Sequence, residues 1–293
     1  MRAFVTGASG FVAGWLLRHL SDMGDDLETV DESVDIADAD AMRERILAAA
    51  PEAIYHLAAF THVGKSWEEP AEAFRVNALG TLQVLQAARL CRPAPRVLLI
   101  GSAEVYGMVK PDQLPVREDA PLLPVSPYAA SKVAAEFLGV QAHLGYGVPV
   151  IRVRAFNHIG PGQHPSFVVP ALVARIREAQ AQGQGEVRVG NVSPRRDFTD
   201  VRDVVRAYRL LVERGRPGEA YNVCSGRDVS IGHVAERLLE LAGGGLELVN
   251  DPELERPVDI PVLLGDRAKI GSAAGWEPVV DLDQTLKDVL SGA

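Results

Sequence analysis

Residues 126–132 read SPYAASK, and two of them could do chemistry. Tyr128 and Lys132 are four positions apart, so on a helix they share one face. A phenol beside a fixed cation can serve as an acid–base group. The ammonium favours phenolate and pulls the tyrosine below its free pKa of about 10. The plain alternative is a surface helix with a solvated lysine and a tyrosine packed half in, half out. A second candidate stands at residues 6–14, TGASGFVAG. Gly7 and Gly10 match the first two glycines of a GxxGxxG turn, and Ala13 stands where a third would be. Such a turn needs no side chain where the backbone bends, and none where it approaches a pyrophosphate at the positive end of a helix. The third position needs only a small residue for helix–strand packing, which alanine satisfies.

These groups need elements to position them. RAFVTG (2–7), AIYHLAA (53–59), RVLLIGS (96–102) and VPVIRVRAF (148–156) are continuous and branched, as expected of parallel strands covered on both faces. Between them lie helical patterns at 11–23, 40–50, 71–90 and 128–145. This alternation predicts an α/β chain built on a doubly wound parallel sheet. The second half is less regular, with helical stretches at 167–182, 201–215, 230–243 and 282–290. Pro and Gly cluster around 159–165, where a smaller α/β substrate lobe starts, and EAYNV (219–223) returns to the main sheet. The predicted division is 1–156 with 197–226 for the dinucleotide, and 157–196 with 227–293 for the smaller lobe.

The second strand should end in an acid that holds the adenosine ribose. LETVDE (27–32) supplies Asp31 and Glu32, 21 and 22 residues after Gly10, near the usual offset of about 20. A carboxylate there accepts from the 2′-hydroxyl and repels a 2′-phosphate. No arginine lies between Arg18 and Arg43, which makes NAD(H) the easier ligand than NADP(H). Asp35 and Ile36, in SVDIAD (33–38), are expected to flank the adenine.

Bulk properties exclude other classes. The 293 residues carry a net charge of −9 with no long run of one sign, which argues against nucleic acid or an anionic membrane surface. Two cysteines, Cys91 and Cys224, lie far apart and fit buried thiols in a reducing compartment. None of the seven histidines shows metal-ligand spacing; His56 and His62 read as core or loop residues. The N-terminus has no apolar core of signal length, and no stretch approaches the roughly 20 apolar residues of a membrane span. The expectation is a cytoplasmic, metal-free protein.

Taken together, TGASGFVA, VDIAD, HLAA (56–59), NALGT (77–81), GSAEVYG (101–107) and YAASK resemble the extended short-chain dehydrogenase/reductase family, over essentially the whole chain. The resemblance implies a Rossmann fold and an NAD(H) or NADP(H) cofactor. Tyr128 would exchange the proton, Lys132 would tune it and hold the nicotinamide ribose, and Ser102 would hydrogen-bond the reacting oxygen. Gly7, Ser9, Gly10, Phe11 and Val12, together with Leu57, Ala58, Ala59 and Asn77, would hold the cofactor. Further motifs, RAFNHIGPGQ (154–163), RRDFTDVRDVV (195–205), AYNVCSG (220–226) and ERPVDIPVLLGD (255–266), resemble enzymes of GDP-linked deoxysugars, in particular the GDP-6-deoxy-D-mannose reductases. That resemblance implies reduction of a C4 ketone to give GDP-D-rhamnose. Asn157 would then contact the sugar nucleotide, Arg196 and Arg256 the diphosphate, and Asp259 a ribose hydroxyl; an ion pair of Arg196 with Asp197 or Asp200 is the plainer reading. Glu104 would bind substrate in a reductase, or abstract a proton in a GDP-mannose 4,6-dehydratase. A sugar-nucleotide epimerase stays open as well, and family likeness implies a homodimer through 71–90 and 128–145.

Overall fold

The computed structural model describes residues 1–254 and 259–292. The chain runs β1 (Arg2–Thr6), α1 (Phe11–Asp22), β2 (Asp26–Val30), α2 (Ala39–Ala49), β3 (Ala53–His56), α3 (Pro70–Phe74), α4 (Gly80–Ala88), β4 (Arg96–Ser102), α5 (Pro127–Tyr146), β5 (Val150–Ala155) and β6 (Asn157–Ile159). It continues through α6 (Val168–Ala181), β7 (Glu186–Val189), β8 (Arg195–Asp200), α7 (Val201–Arg214), β9 (Ala220–Val223), β10 (Asp228–Ser230), α8 (Ile231–Leu241), β11 (Glu247–Asn250), β12 (Val262–Leu263), α9 (Ala268–Ala274) and α10 (Leu282–Ser291).

Six strands form one sheet in the order β2-β1-β3-β4-β5-β9, every neighbour parallel. Residues 220–223 thus return to the main sheet as its last strand. The direction of winding reverses between β1 and β3, and an open α/β sheet binds its ligand outside the carboxyl ends of strands at such a switch. One face is covered by α1, α7 and α9 over a core that includes Leu16, Leu20, Tyr208 and Trp276; the other is covered by α2, α4 and α5 over Met42, Ile46 and Leu85. Burial on both faces explains the apolar runs of β3 and β4, while β5 interleaves Val150, Ile151 and Val153 with Arg152 and Arg154. Each fully buried Leu or Ile contributes roughly 1.5–3 kcal/mol of transfer free energy.

The expected helix over 71–90 is present as one helical run, 70–88, with a π turn inside it. That turn, Arg75–Leu79, joins α3 to α4, and single π turns often mark functional sites. Here it holds Asn77 inward, 1% exposed.

The second layer is built from short strands that alternation alone did not reveal. β8 pairs with β6, β10 and β12, and β7 pairs with β11. Because β8 belongs to this sheet, the chain re-enters the helical layers of the main sheet at Asp200–Val201 rather than at residue 197. A separate apolar cluster, with α6, α8 and α10 around Ile176, Val234 and Leu286, supports the layer. Among the described residues no helix is long and apolar enough to cross a membrane.

Candidate active site

Helix α5 starts where SPYAASK predicts. Ser126 is its N-cap, accepting from the Ala129 N–H at 3.1 Å, and Pro127 occupies the first turn. A hydroxyl cap satisfies an amide the helix leaves unpaired, and proline there sacrifices no internal bond. Ser66 Oγ accepts from the Tyr128 N–H at 3.1 Å and fastens the same end to the segment after β3. Gly147, left-handed at φ 73°, ends the helix. Tyr128 and Lys132 therefore stand one turn apart in the first half of a well-terminated helix.

Both are buried, 8% and 6% exposed, and both line a cavity of about 300 Å³ at the carboxyl edge of the sheet. Ser102, at the end of β4, lines the same cavity, its hydroxyl close enough to the Tyr128 phenol to favour phenolate. Lys132 Nζ donates to the Ile100 carbonyl at 3.0 Å. The expected lowering of the tyrosine pKa is reversed. Burial, which penalises phenolate, pushes Tyr128 up to about 12; the Ser102 hydroxyl opposes this and the charge of Glu104 adds to it. Lys132, desolvated by the same burial, is pulled down to about 8. Loss of water outweighs the attraction of a cation whose ammonium is tied to a backbone carbonyl.

The glycine turn fits a dinucleotide. Gly7 has φ +72°, and a Cβ there would lie 2.8 Å from the Cα and N of Ala58. Its neighbour Ala8 donates to the Val30 carbonyl at 3.0 Å, stitching the turn across the ends of β1 and β2. Gly10 caps α1 without any side-chain hydrogen bond, leaving first-turn amides for an anion. Ser9 and Gly10 are exposed, Ala13 is buried toward the sheet, and Phe11 stacks on His158 with ring centroids 6.4 Å apart. Val12, Leu57 and Ala59 face the cavity. Ala58 braces the turn instead, through its N–H to Thr6 Oγ1 at 3.1 Å. Asp31 stands exposed just past β2, accepting from the Ser33 N–H at 3.0 Å and hydroxyl at 2.5 Å, bonds that hold its pKa down.

Three expected cofactor contacts are engaged elsewhere. Asn77 accepts from the Phe60 N–H at 2.8 Å and gives its amide protons to the Phe60 carbonyl at 3.1 Å and Ser131 Oγ at 2.8 Å. Its donors are spent on joining the β3 loop to α5, so it positions both. Asp35 accepts from Arg75 Nη1 at 2.8 and 2.6 Å. The Ile36 side chain is buried in the core against Gly80, which leaves its backbone for any ligand.

His56, as expected, is a core residue, buried and held neutral near pKa 3. Thr81 Oγ1 donates to the Asn77 carbonyl at 2.6 Å, so it accepts from His56 Nε2 at 3.0 Å, and His56 Nδ1 accepts from Thr6 Oγ1 at 2.8 Å. This chain links the ends of β1 and β3 to α4. Among the described residues no cluster could hold a metal ion.

On the second lobe, Asn157, Arg196 and Asp259 line the same cavity. Arg196 pairs with neither Asp197 nor Asp200. Its Nη2 donates to Asp259 at 2.6 Å, and its Nη1 to the Ile260 and Arg195 carbonyls at 2.6 and 3.0 Å. Asp197 is instead sealed in, accepting from Ser225 and Gly226, and burial raises it to about 6. Arg256 lies outside the described residues. The cavity adds His158, Gln163, Phe167, Asn191 and Tyr208, none marked by the motifs as a site residue. Tyr208 in particular reads in sequence as one more apolar position of a helical stripe.

A parallel sheet with a glycine turn at its switch point, beside a buried Tyr–Ser–Lys group, defines an NAD(P)-dependent oxidoreductase of the extended short-chain dehydrogenase/reductase type. The profile of the family described as GDP-mannose 4,6 dehydratase matches residues 4–289, and the chain belongs to that family. It is 37% identical to a GDP-6-deoxy-D-mannose reductase of Pseudomonas aeruginosa, over 99% of this chain and 96% of the relative. The solved structure of "RMD from Pseudomonas aeruginosa complexed with NADPH" superposes with a TM-score of 0.92 at 38% identity, covering 99% of this chain and 98% of that one. The UDP-glucose 4-epimerase of Thermus thermophilus, in complex with NAD, superposes at 0.87 with 26% identity, covering 100% and 98%. The enzyme uses NAD(H) or NADP(H) and acts on nucleotide sugars.

Proposed function

We propose that this enzyme reduces the C4 ketone of GDP-4-keto-6-deoxy-D-mannose to GDP-D-rhamnose. The observation that carries the reading is the end-to-end similarity, on both chains, to a GDP-6-deoxy-D-mannose reductase. The site is consistent with it. A bound reduced nicotinamide supplies the hydride. Tyr128, kept protonated by burial, is the proton donor to the oxygen that gains charge. Ser102 hydrogen-bonds that oxygen alongside Tyr128 and fixes its direction. Lys132, one turn on, supplies positive charge beneath the phenol while it holds its own proton. Ser9, Gly10 and the α1 amides take the pyrophosphate, and Asp31 takes the adenosine ribose, which favours NADH. Asn157, Arg196 and Asp259 form the nucleotide-sugar wall, the arginine sharing its fork between Asp259 and the diphosphate. The dinucleotide unit comprises 1–156 and 201–226, and the nucleotide-sugar unit the remainder.

The direct test mixes the enzyme with GDP-4-keto-6-deoxy-mannose and NADH or NADPH and follows nicotinamide absorbance. Loss of reduced nicotinamide in step with product is expected, and the two cofactors are ranked by kcat/KM. The second reading, a GDP-mannose 4,6-dehydratase, draws on Glu104, close enough for its charge to raise the Tyr128 pKa. Turnover of GDP-mannose alone, without added cofactor being consumed, would establish it instead. Ala103, buried at 1% exposure, places no acid before Glu104.

The apolar side chains of Phe74 and Leu79, and of Phe137 and Leu144 on α5, are exposed. Covering them in a second copy makes a four-helix dimer interface. Light scattering should give twice the 31.5 kDa chain mass, and Phe137→Glu should return it to one; a wild-type monomer at micromolar concentration would exclude the dimer.

A further inference from the structure

Tyr208 holds an unusual polar atom. It projects from α7 into the core beneath the sheet, is 0% exposed, and its hydroxyl has no hydrogen-bond partner among the described residues. A buried hydroxyl left unpaired costs about 1–3 kcal/mol, so its retention calls for a partner. Tyr55, on β3, carries a second orphan hydroxyl, but Tyr55 does not line the cavity, whereas Tyr208 does. Charge on Tyr128 pushes the Tyr208 pKa further up, which places the two phenols near each other.

The surroundings say what the partner is. Val12 of α1, Leu57 after β3, Ile100 of β4 and Ala155 of β5 line the cavity and belong to the same apolar cluster as Tyr208. The polar groups Ser102, Tyr128 and Lys132 come from the end of β4 and from α5. A flat apolar surface with one hydroxyl suits a planar ring bearing one polar substituent. The path from the Gly7–Gly10 turn past Val12 toward the ends of β4 and β5 is the nicotinamide half of a dinucleotide track. We infer that Tyr208 is a positioning residue whose hydroxyl holds the carboxamide of the nicotinamide ring, fixing the ring's rotation beneath the substrate. This rests on the cofactor class alone and holds for reductase, dehydratase or epimerase.

The test compares wild type, Tyr208→Phe and Tyr55→Phe by titration calorimetry with NADH and with ADP-ribose, which lacks the ring. Tyr208→Phe should weaken NADH roughly three- to tenfold, the worth of one hydrogen bond, and leave ADP-ribose unchanged. Tyr55→Phe should change neither. The melting temperature of ligand-free Tyr208→Phe should stay level or rise, because removing an unpaired buried hydroxyl relieves a cost. Unaltered NADH affinity, equal weakening of both ligands, or a ligand-free melting temperature lowered by several degrees would each overturn the assignment; the last would give the hydroxyl a structural partner.

Discussion

Tyr128→Phe should lower kcat for ketone reduction by roughly 10²–10⁴-fold, the usual worth of a positioned proton donor, with cofactor affinity almost unchanged. Phenylalanine keeps the ring that fills the buried site and removes only the phenolic oxygen. Stopped-flow turnover and cofactor titration separate the two quantities. Retention of most of the turnover would take the acid role away from Tyr128. The pH profile adds a second, independent check. With Tyr128 at about 12 and Lys132 at about 8, the phenol stays protonated far into the alkaline range, whereas the ammonium holds its proton at neutrality and gives it up just above. As pH rises through about 8, Lys132 loses its charge, so kcat/KM for the cofactor should fall on an alkaline limb there. Lys132→Arg, whose cation persists above pH 12, should move that limb upward. A limb left in place by this change belongs to another group.

Glu136→Gln should destabilise the fold by about 3–5 kcal/mol, the usual cost of leaving buried charge uncompensated. Glu136 lies one turn beyond Lys132 on the same face of α5 and is 2% exposed. Its carboxylate accepts from Arg152 Nη1 at 2.8 Å and from Arg154 Nε and Nη2 at 3.2 and 2.7 Å. Arg154 continues to Tyr106 Oη at 2.8 Å, and Tyr106 donates to Asn222 at 2.6 Å. One carboxylate thus ties the catalytic helix to β5 and, through Tyr106, to β9. Neutralising it strands two guanidiniums inside the protein. For a chain of this size the melting temperature should drop on the order of 10 °C. Asp283→Asn, which breaks the half-exposed pair with Arg237, is the comparison and should cost under about 1 kcal/mol. Equal, small effects at both positions would show that the buried network is not a stability determinant.

The two predictions concern one helix and differ in how far sequence foretells them. The pairing of Tyr128 with Lys132 follows from spacing, and the Ser126-Pro127 start follows from capping chemistry. Glu136 completes that spacing at one further turn, yet nothing in the chain marks Arg152 and Arg154 as its partners, or reserves it from Lys132. That choice is made by β5 lying against α5.

Local physics determined much of this protein in advance. Parallel strands buried on both faces are largely apolar, so β1, β3 and β4 are visible as runs, and β5 is visible through its branched residues despite Arg152 and Arg154. A pyrophosphate turn must lack side chains, so Gly7 and Gly10 are visible as a motif. The three-residue strands β6 and β10, the two-residue β12 and the pairings of β8 leave no such trace, because their partners lie tens of residues away. Tertiary structure alone decided that Asn77 braces the β3 loop, that Arg196 is matched to Asp259, and that Tyr208 lines the cavity. It also reversed the direction of the Tyr128 shift. Spacing along a chain sets which groups can meet, but the energy of a charge depends on the water removed around it, and only packing removes that water.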